Sequence, residues 1–350
     1  MGWRPDILPG FEALTLRLDA ALPAPGEPDA APTATLVRRS PARNQRAVLW
    51  VHGWNDYFFH RHVADFFAAR GVDFYALDLR RSGRSLQPGQ LAGYITELEE
   101  YFDELDAAYA HVAGEHRSIS VMGHSTGGLA AALWADQRPG RIDALILNSP
   151  WLDLQGSRLL RAVITPFIDT IGQRAPTAGL PLADEGAVYA RSLHTSFGGE
   201  WSYDLGWKEP TPVIRVGWIR AVLRGHDQVA AGLDVQAPVL VLTAAASSAR
   251  WALSEEAGRT DIVLDVKRIR ARAVDLGGHV TIVRIPDGVH DLSLSIPPAR
   301  SRFLAEIGRW LDAYVPDPSQ ERPGGLDRPL AVPTAEQDGV YQQRVHLVER

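Results

Sequence analysis

The stretch VMGHSTGGLA, residues 121–130, decides how the rest of the chain is read. Ser125 stands between Gly123 and Gly127 in a Gly-x-Ser-x-Gly arrangement, with Gly128 directly behind. The apolar run SISVMG (118–123) precedes it and the small-residue run GGLAAALWADQ (127–137) follows. A strand that turns sharply into a helix through such a serine lifts the hydroxyl out of the turn as a nucleophile. Glycine suits both flanking positions, because Cβ atoms there would meet the neighbouring strand and helix. The positive end of the following helix also favours negative charge developing near Ser125. The same letters fit a plain strand-to-helix turn, so the decision falls to partners elsewhere in the chain.

Outward from this stretch the pattern is regular. FEALTLRL (11–18) and TATLVR (33–38) read as short strands joined by a Pro-rich connector. AVLWV (47–51) is followed by a helix-like segment at 60–70, and DFYALD (73–78) by one at 94–113. ALILNS (144–149), APVLVLTA (237–244) and HVTIVRI (279–285) are further strand signals, and RSRFLAEIGRWLDAY (300–314) is a helix. Apolar strands alternating with helices predict βαβ units and a mostly parallel sheet buried on both faces. Residues 151–236 break the pattern: they lack the short Val/Ile runs and hold four of the ten tryptophans. They read as a mainly helical cap inserted into a core formed by 1–150 and 237–315. The Pro-, Gly- and charge-rich segment 316–350 reads as an extended or disordered tail.

A nucleophilic serine needs oxyanion donors, a base and an acid. The backbone N–H of Thr126, next after the nucleophile, is one donor. WVHGWND (50–56) ends an earlier strand in the right place for the second, the N–H of Trp54 or its neighbour Asn55. His290, in IPDGVHDLSLS just past the strand at 279–285, is the candidate base. His279 lies at the wrong end of that strand, and His124 reads as structural. The acid is expected between the strand at 239–243 and His290, where Asp261 and Asp265 both qualify. Asp261 is preferred because Asp265 reads as a helix start, where carboxylates are favoured anyway. Asp153 is an outside alternative.

Composition narrows the partners. The 350 residues carry a formal net charge of −6, with 45% hydrophobic and 22% charged side chains, and no basic stripe suggests nucleic acid. The absence of cysteine removes disulfides and thiolate metal sites and fits a reducing, cytoplasmic setting. No stretch has the length of a membrane span, so no stable membrane insertion is expected. His60-x-His62 has no Cys or acidic partner at ligand spacing. Neither a metal nor an organic cofactor is expected.

Taken together, HGW (52–54), ALDLRRSGRS (76–85), GHSTGG (123–128), NSP (148–150), TDIV (260–263) and the late VHD resemble the α/β-hydrolases. The closest subgroup is the serine aminopeptidase S33-like, monoacylglycerol lipase-like hydrolases. Three departures stand out. Arg81 replaces the first glycine of the family's D-x-R-G-x-G-x-S, Thr126 stands where the family usually has methionine, and the segment before Asp261 is long. The resemblance implies the α/β-hydrolase fold and covalent acyl transfer by Ser125, His290 and Asp261, on a small-molecule ester. Trp151, Trp201, Trp207 and Trp218 suggest an apolar pocket for an acyl or alkyl chain. Two alternatives remain open: an aminopeptidase, with Glu200, Asp204 or Glu209 receiving the substrate amine, and a non-hydrolytic protein of the same fold.

Overall fold

The computed structural model describes residues 2–39, 44–154, 158–180, 185–248, 255–315 and 317. One compact unit spans Met1–Pro318, and the inserted segment is part of it. The second unit, Ser319–Arg350, lies outside the described residues, and so does nearly all of the expected tail.

Nine strands form one sheet: β1 (Arg4–Pro5), β2 (Phe11–Arg17), β3 (Thr33–Arg39), β4 (Arg46–Val51), β5 (Val72–Asp78), β6 (Ser118–His124), β7 (Ala144–Asn148), β8 (Val239–Ala244) and β9 (Val280–Ile285). Their order is β1-β2-β3-β5-β4-β6-β7-β8-β9. The first three strands are antiparallel, β3 pairs antiparallel with β5, and every later pairing is parallel. β1 carries Pro5 and only two residues, too short to leave a periodic signal. The helices are α1 (Arg61–Ala68), α2 (Phe102–Ala113), α3 (Ser125–Gln137), α4 (Arg158–Arg174), α5 (Glu185–Leu193), α6 (Val216–Ala231), α7 (Val266–Ala273) and α8 (Pro297–Tyr314).

The continuous apolar run of β4 follows from a sheet covered on both faces. Ala47, Leu49 and Val51 face the cluster with Leu105, Leu129 and Trp134, while Val48 and Trp50 face the one with Phe67, Phe303 and Ile307. Residues 125–135 of α3 are buried on all sides, which explains its small side chains. The expected helix at 94–113 starts later. Residues 94–97 are not helical, Leu98–Tyr101 is a 3-10 turn and α2 begins at Phe102. The Glu100 carboxylate accepts the backbone N–H groups of Thr96 and Glu97, capping the turn there.

Between β7 and β8 the inserted segment packs straight onto the core. Trp218, Ala221, Val222 and Val229 of α6 join the cluster around α3. Arg220 ties α6 both to Asp169 of α4 (2.7 Å) and to Glu97 of the core (2.8 Å). No helix among the described residues is long and apolar enough to cross a membrane.

Candidate active site

β6 runs into α3 without a loop, and the joint is Ser125, with φ at 51°. Such a left-handed conformation is costly for a residue with a Cβ and persists where the surroundings impose it. The surroundings are tight: a Cβ on Gly123 would lie 2.6 Å from the Gly128 Cα, and one on Gly127 would lie 2.1 Å from the His52 carbonyl oxygen. The two glycines let strand, helix and the 52–54 loop meet, and Ser125 takes the strain.

The Ser125 hydroxyl lies 3.0 Å from His290 Nε2, and His290 Nδ1 lies 2.9 Å from Asp261 Oδ2. Asp261 is fully buried, and its other oxygen accepts the backbone N–H groups of Val263 and Leu264, each at 2.8 Å. That fixes the carboxylate's orientation and leaves Oδ2 for the imidazole. Asp265 is used differently: it caps α7 by accepting the Lys267 N–H. Asp153 pairs with Arg268 and Arg272. His279 packs on Tyr314. His124 lies nearer the relay than its place in the turn suggests, with its ring 4.8 Å from that of His290. Burial brings its pKa down to about 4, and its Nδ1–H donates to the Asn148 carbonyl, so a neutral ring supports the turn.

Trp54 and Thr126, the expected oxyanion donors, line one cavity of about 10 Å³, room for a single water. His52 holds the approach. The Leu79 N–H donates to its Nε2 (2.9 Å), so the proton sits on Nδ1 and is donated to the Gly53 carbonyl (2.6 Å). Burial lowers the His52 pKa, which keeps this neutral tautomer. A trans peptide points its C=O and N–H in opposite directions, so the Trp54 N–H faces away from the imidazole.

The four tryptophans fall into two groups. Trp151 and Trp218 pack together (5.9 Å), Trp218 also packs on Trp54 (5.2 Å), and the Trp151 backbone N–H donates to the Ser125 carbonyl. The indole N–H groups of Trp151 and Trp218 are buried without a hydrogen-bond partner among the described residues. Trp201 and Trp207 stand apart, beside Tyr57, Phe59 and Val289. Trp201 donates to the Leu294 carbonyl and lies under Arg300, and Trp207 packs edge-on against Tyr57. These two indoles fill the seam between the inserted segment and the core. The three carboxylates that an amine-binding site would use are also engaged: Glu200 with Arg300, Asp204 with the Gly206 N–H and Glu209 with Arg191.

Several groups around the relay leave no mark in the sequence. The Tyr189 hydroxyl of α5 accepts the Asp291 N–H (2.8 Å) while its ring stands edge-on to His290. Asp291 also accepts from Asn148 Nδ2 and from both the N–H and hydroxyl of Ser293. His60 Nε2 lies 2.9 Å from Asp291, and His62 Nε2–H donates to the Ser293 carbonyl. Asp56, His60 and Asp291 bring one donor atom each within 4.8 Å of one another, a spacing a metal ion would accept. The Lys208 ammonium already occupies Asp56, however, and protein donors occupy Asp291.

Residues 42–292 match the family described as serine aminopeptidase, S33. The chain is 28% identical to a monoacylglycerol lipase of Mycolicibacterium smegmatis over 138 residues, 39% of this chain and 47% of that protein. It is 29% identical to lysophospholipase L2 of Escherichia coli over 196 residues, 50% of this chain and 55% of that protein. The chain spans about half the length of the curated relatives it matches. In structure it resembles a soluble variant of monoglyceride lipase from Saccharomyces cerevisiae, with a TM-score of 0.59 at 14% identity, over 85% of this chain and 98% of that one. The monoacylglycerol lipase of Paleococcus ferrophilus gives 0.56 at 18% identity, over 87% and 99%. At such identities the likeness is one of fold.

Proposed function

This chain belongs to the serine aminopeptidase S33 family and has the α/β-hydrolase fold, and from that premise we propose that it is a serine hydrolase of carboxylic esters. The observation that carries the reading is the Ser125–His290–Asp261 relay, with its bonds of 3.0 and 2.9 Å, set on a strained turn. His290 Nε2 removes the Ser125 proton as Oγ bonds to the ester carbonyl carbon. The Trp54 and Thr126 N–H groups receive the oxyanion. Its collapse expels the alcohol, which leaves with the proton from His290. A water then repeats the sequence on the acyl-enzyme and frees the acid. Asp261 holds the imidazole in the required tautomer and stabilises its charged form.

The substrate class is an ester with an acyl or alkyl chain, of the monoacylglycerol or lysophospholipid kind. The names of the relatives support this, and so does the apolar group Trp54, Trp151 and Trp218 beside Ser125. The engagement of Glu200, Asp204 and Glu209 weighs against an aminopeptidase, which would want a free carboxylate for the substrate amine.

A fluorophosphonate probe tests the mechanism: it is expected to label the chain, and Ser125→Ala to abolish labelling. Labelling that survives the substitution, or none at all, would sink the proposal. p-Nitrophenyl esters of increasing acyl length, run beside aminoacyl p-nitroanilides, test the substrate class. Turnover confined to the anilides would overturn the ester reading.

A further inference from the structure

We propose that Lys208, from the inserted segment, is a positioning residue that sets the oxyanion loop. The inference rests on the reading of Trp54 and Thr126 as oxyanion donors. The loop after β4 has to present one N–H, that of Trp54, in one direction. On its N-terminal side the loop is fixed by His52, through the Gly53 carbonyl. On its C-terminal side comes Asn55, with φ at 53°, a left-handed conformation that asparagine adopts more readily than other residues with a Cβ.

Lys208 does the holding, at two points. Its backbone carbonyl accepts from Asn55 Nδ2 at 3.0 Å, and its ammonium bonds Asp56 Oδ1 at 2.5 Å. The same Asp56 oxygen accepts the Tyr57 N–H at 2.8 Å. One residue of the inserted segment thus grips two consecutive residues of the loop, immediately after Trp54. The ammonium is buried and stands 5.1 Å from the ring centres of both Phe59 and Tyr203. Burial pushes the Asp56 carboxyl up, but the charges and hydrogen bonds around it, the Lys208 ammonium foremost, together hold it below the usual carboxylate range.

A buried ion pair is an inefficient way to stabilise a seam, since apolar side chains of equal volume do as well or better. What the pair supplies is direction. The carboxylate has one place where it meets the ammonium, and the backbone on either side follows. The Trp54 N–H is therefore held between a core imidazole and a lysine from the inserted segment, and its aim depends on that segment being docked.

The test compares wild type with Lys208→Met, Lys208→Arg and the double variant Asp56→Asn/Lys208→Met, which leaves no unpaired charge. Steady-state kinetics on a p-nitrophenyl ester are combined with the affinity for a trifluoromethyl ketone, whose adduct with the nucleophilic serine places an oxyanion in the same site. Loss of aim at one donor predicts a kcat about tenfold to a hundredfold lower in Lys208→Met. KM should stay within about twofold, because the loop's grip concerns charge that appears only in the transition state. The ketone should weaken by the same factor as kcat, the pH at half-maximal kcat should hold, and Lys208→Arg should recover most of the rate. The double variant should melt like wild type yet remain slow. A double variant with wild-type kcat, or a fall in kcat with ketone affinity unchanged, overturns the assignment of Lys208. Ser125→Ala is run alongside: full activity there overturns the underlying mechanism, whatever Lys208 does.

Discussion

Arg81 stands at φ 60°, where the α/β-hydrolases it resembles carry glycine. Its guanidinium meets both oxygens of Glu27 (2.8 and 2.7 Å) and the carbonyl of Tyr94 (3.2 Å), binding the Pro-rich connector of 21–30 over the loop after β5. Both side chains are buried, 2% and 0% exposed. Arg81→Gly would relieve roughly 1 kcal/mol of backbone strain but strand the Glu27 carboxylate. A net loss of about 2 kcal/mol is expected, and Glu27→Gln added to it should restore part. Urea unfolding of the two single variants and the double measures the coupling; additive losses would refute it. Residues differ in how far the sequence reveals them. Ser125 and His290 were legible because an elbow and a post-strand loop impose local spacing. Lys208 and Asp56 were not, because an ion pair between residues 152 apart leaves no periodic trace.

At the level of elements, the start of α7 separates two carboxylates that lie four residues apart. Asp261 turns into the core toward His290, whereas Asp265 closes the helix N-terminus. Asp261→Asn should therefore lower kcat by about 10²- to 10⁴-fold with little change in melting. Asp265→Ala should keep the rate and lose about 1 kcal/mol of stability. Rates paired with thermal melts decide between them, and the reverse pattern would exchange the roles. The parallel strands were legible because burial on both faces demands unbroken Val/Ile/Leu runs, as in β4 and β7. The inserted segment was legible only as a gap in that pattern. Its aromatics were visible as composition, yet short irregular pieces carry no period to say which way they face. Hence Trp201 and Trp207, expected with Trp151 and Trp218, lie instead in the docking seam.

For the molecule as a whole, buried and half-buried imidazoles make stability depend on pH. Burial brings the pKa of His62 and of His124 down to about 4, and lowers that of His52 as well. The unfolded chain protonates these rings near pH 6.5. Their contribution is full above that value, falls as the pH drops toward 4 while only the unfolded state takes up protons, and levels off below. Urea unfolding between pH 7 and 4 should show this slope, and His62→Gln should flatten it by nearly one proton. An unchanged slope would mean that His62 charges in the folded chain. The proposed triad also has a history in time. The Ser125–His290 bond spans 165 residues, and His290 follows the last strand of the sheet. At about 5–20 residues per second, a ribosome needs about ten to thirty seconds to deliver the histidine after the serine. Throughout that interval the nascent chain carries the proposed nucleophile without its base, so the hydroxyl emerges from the ribosome unarmed.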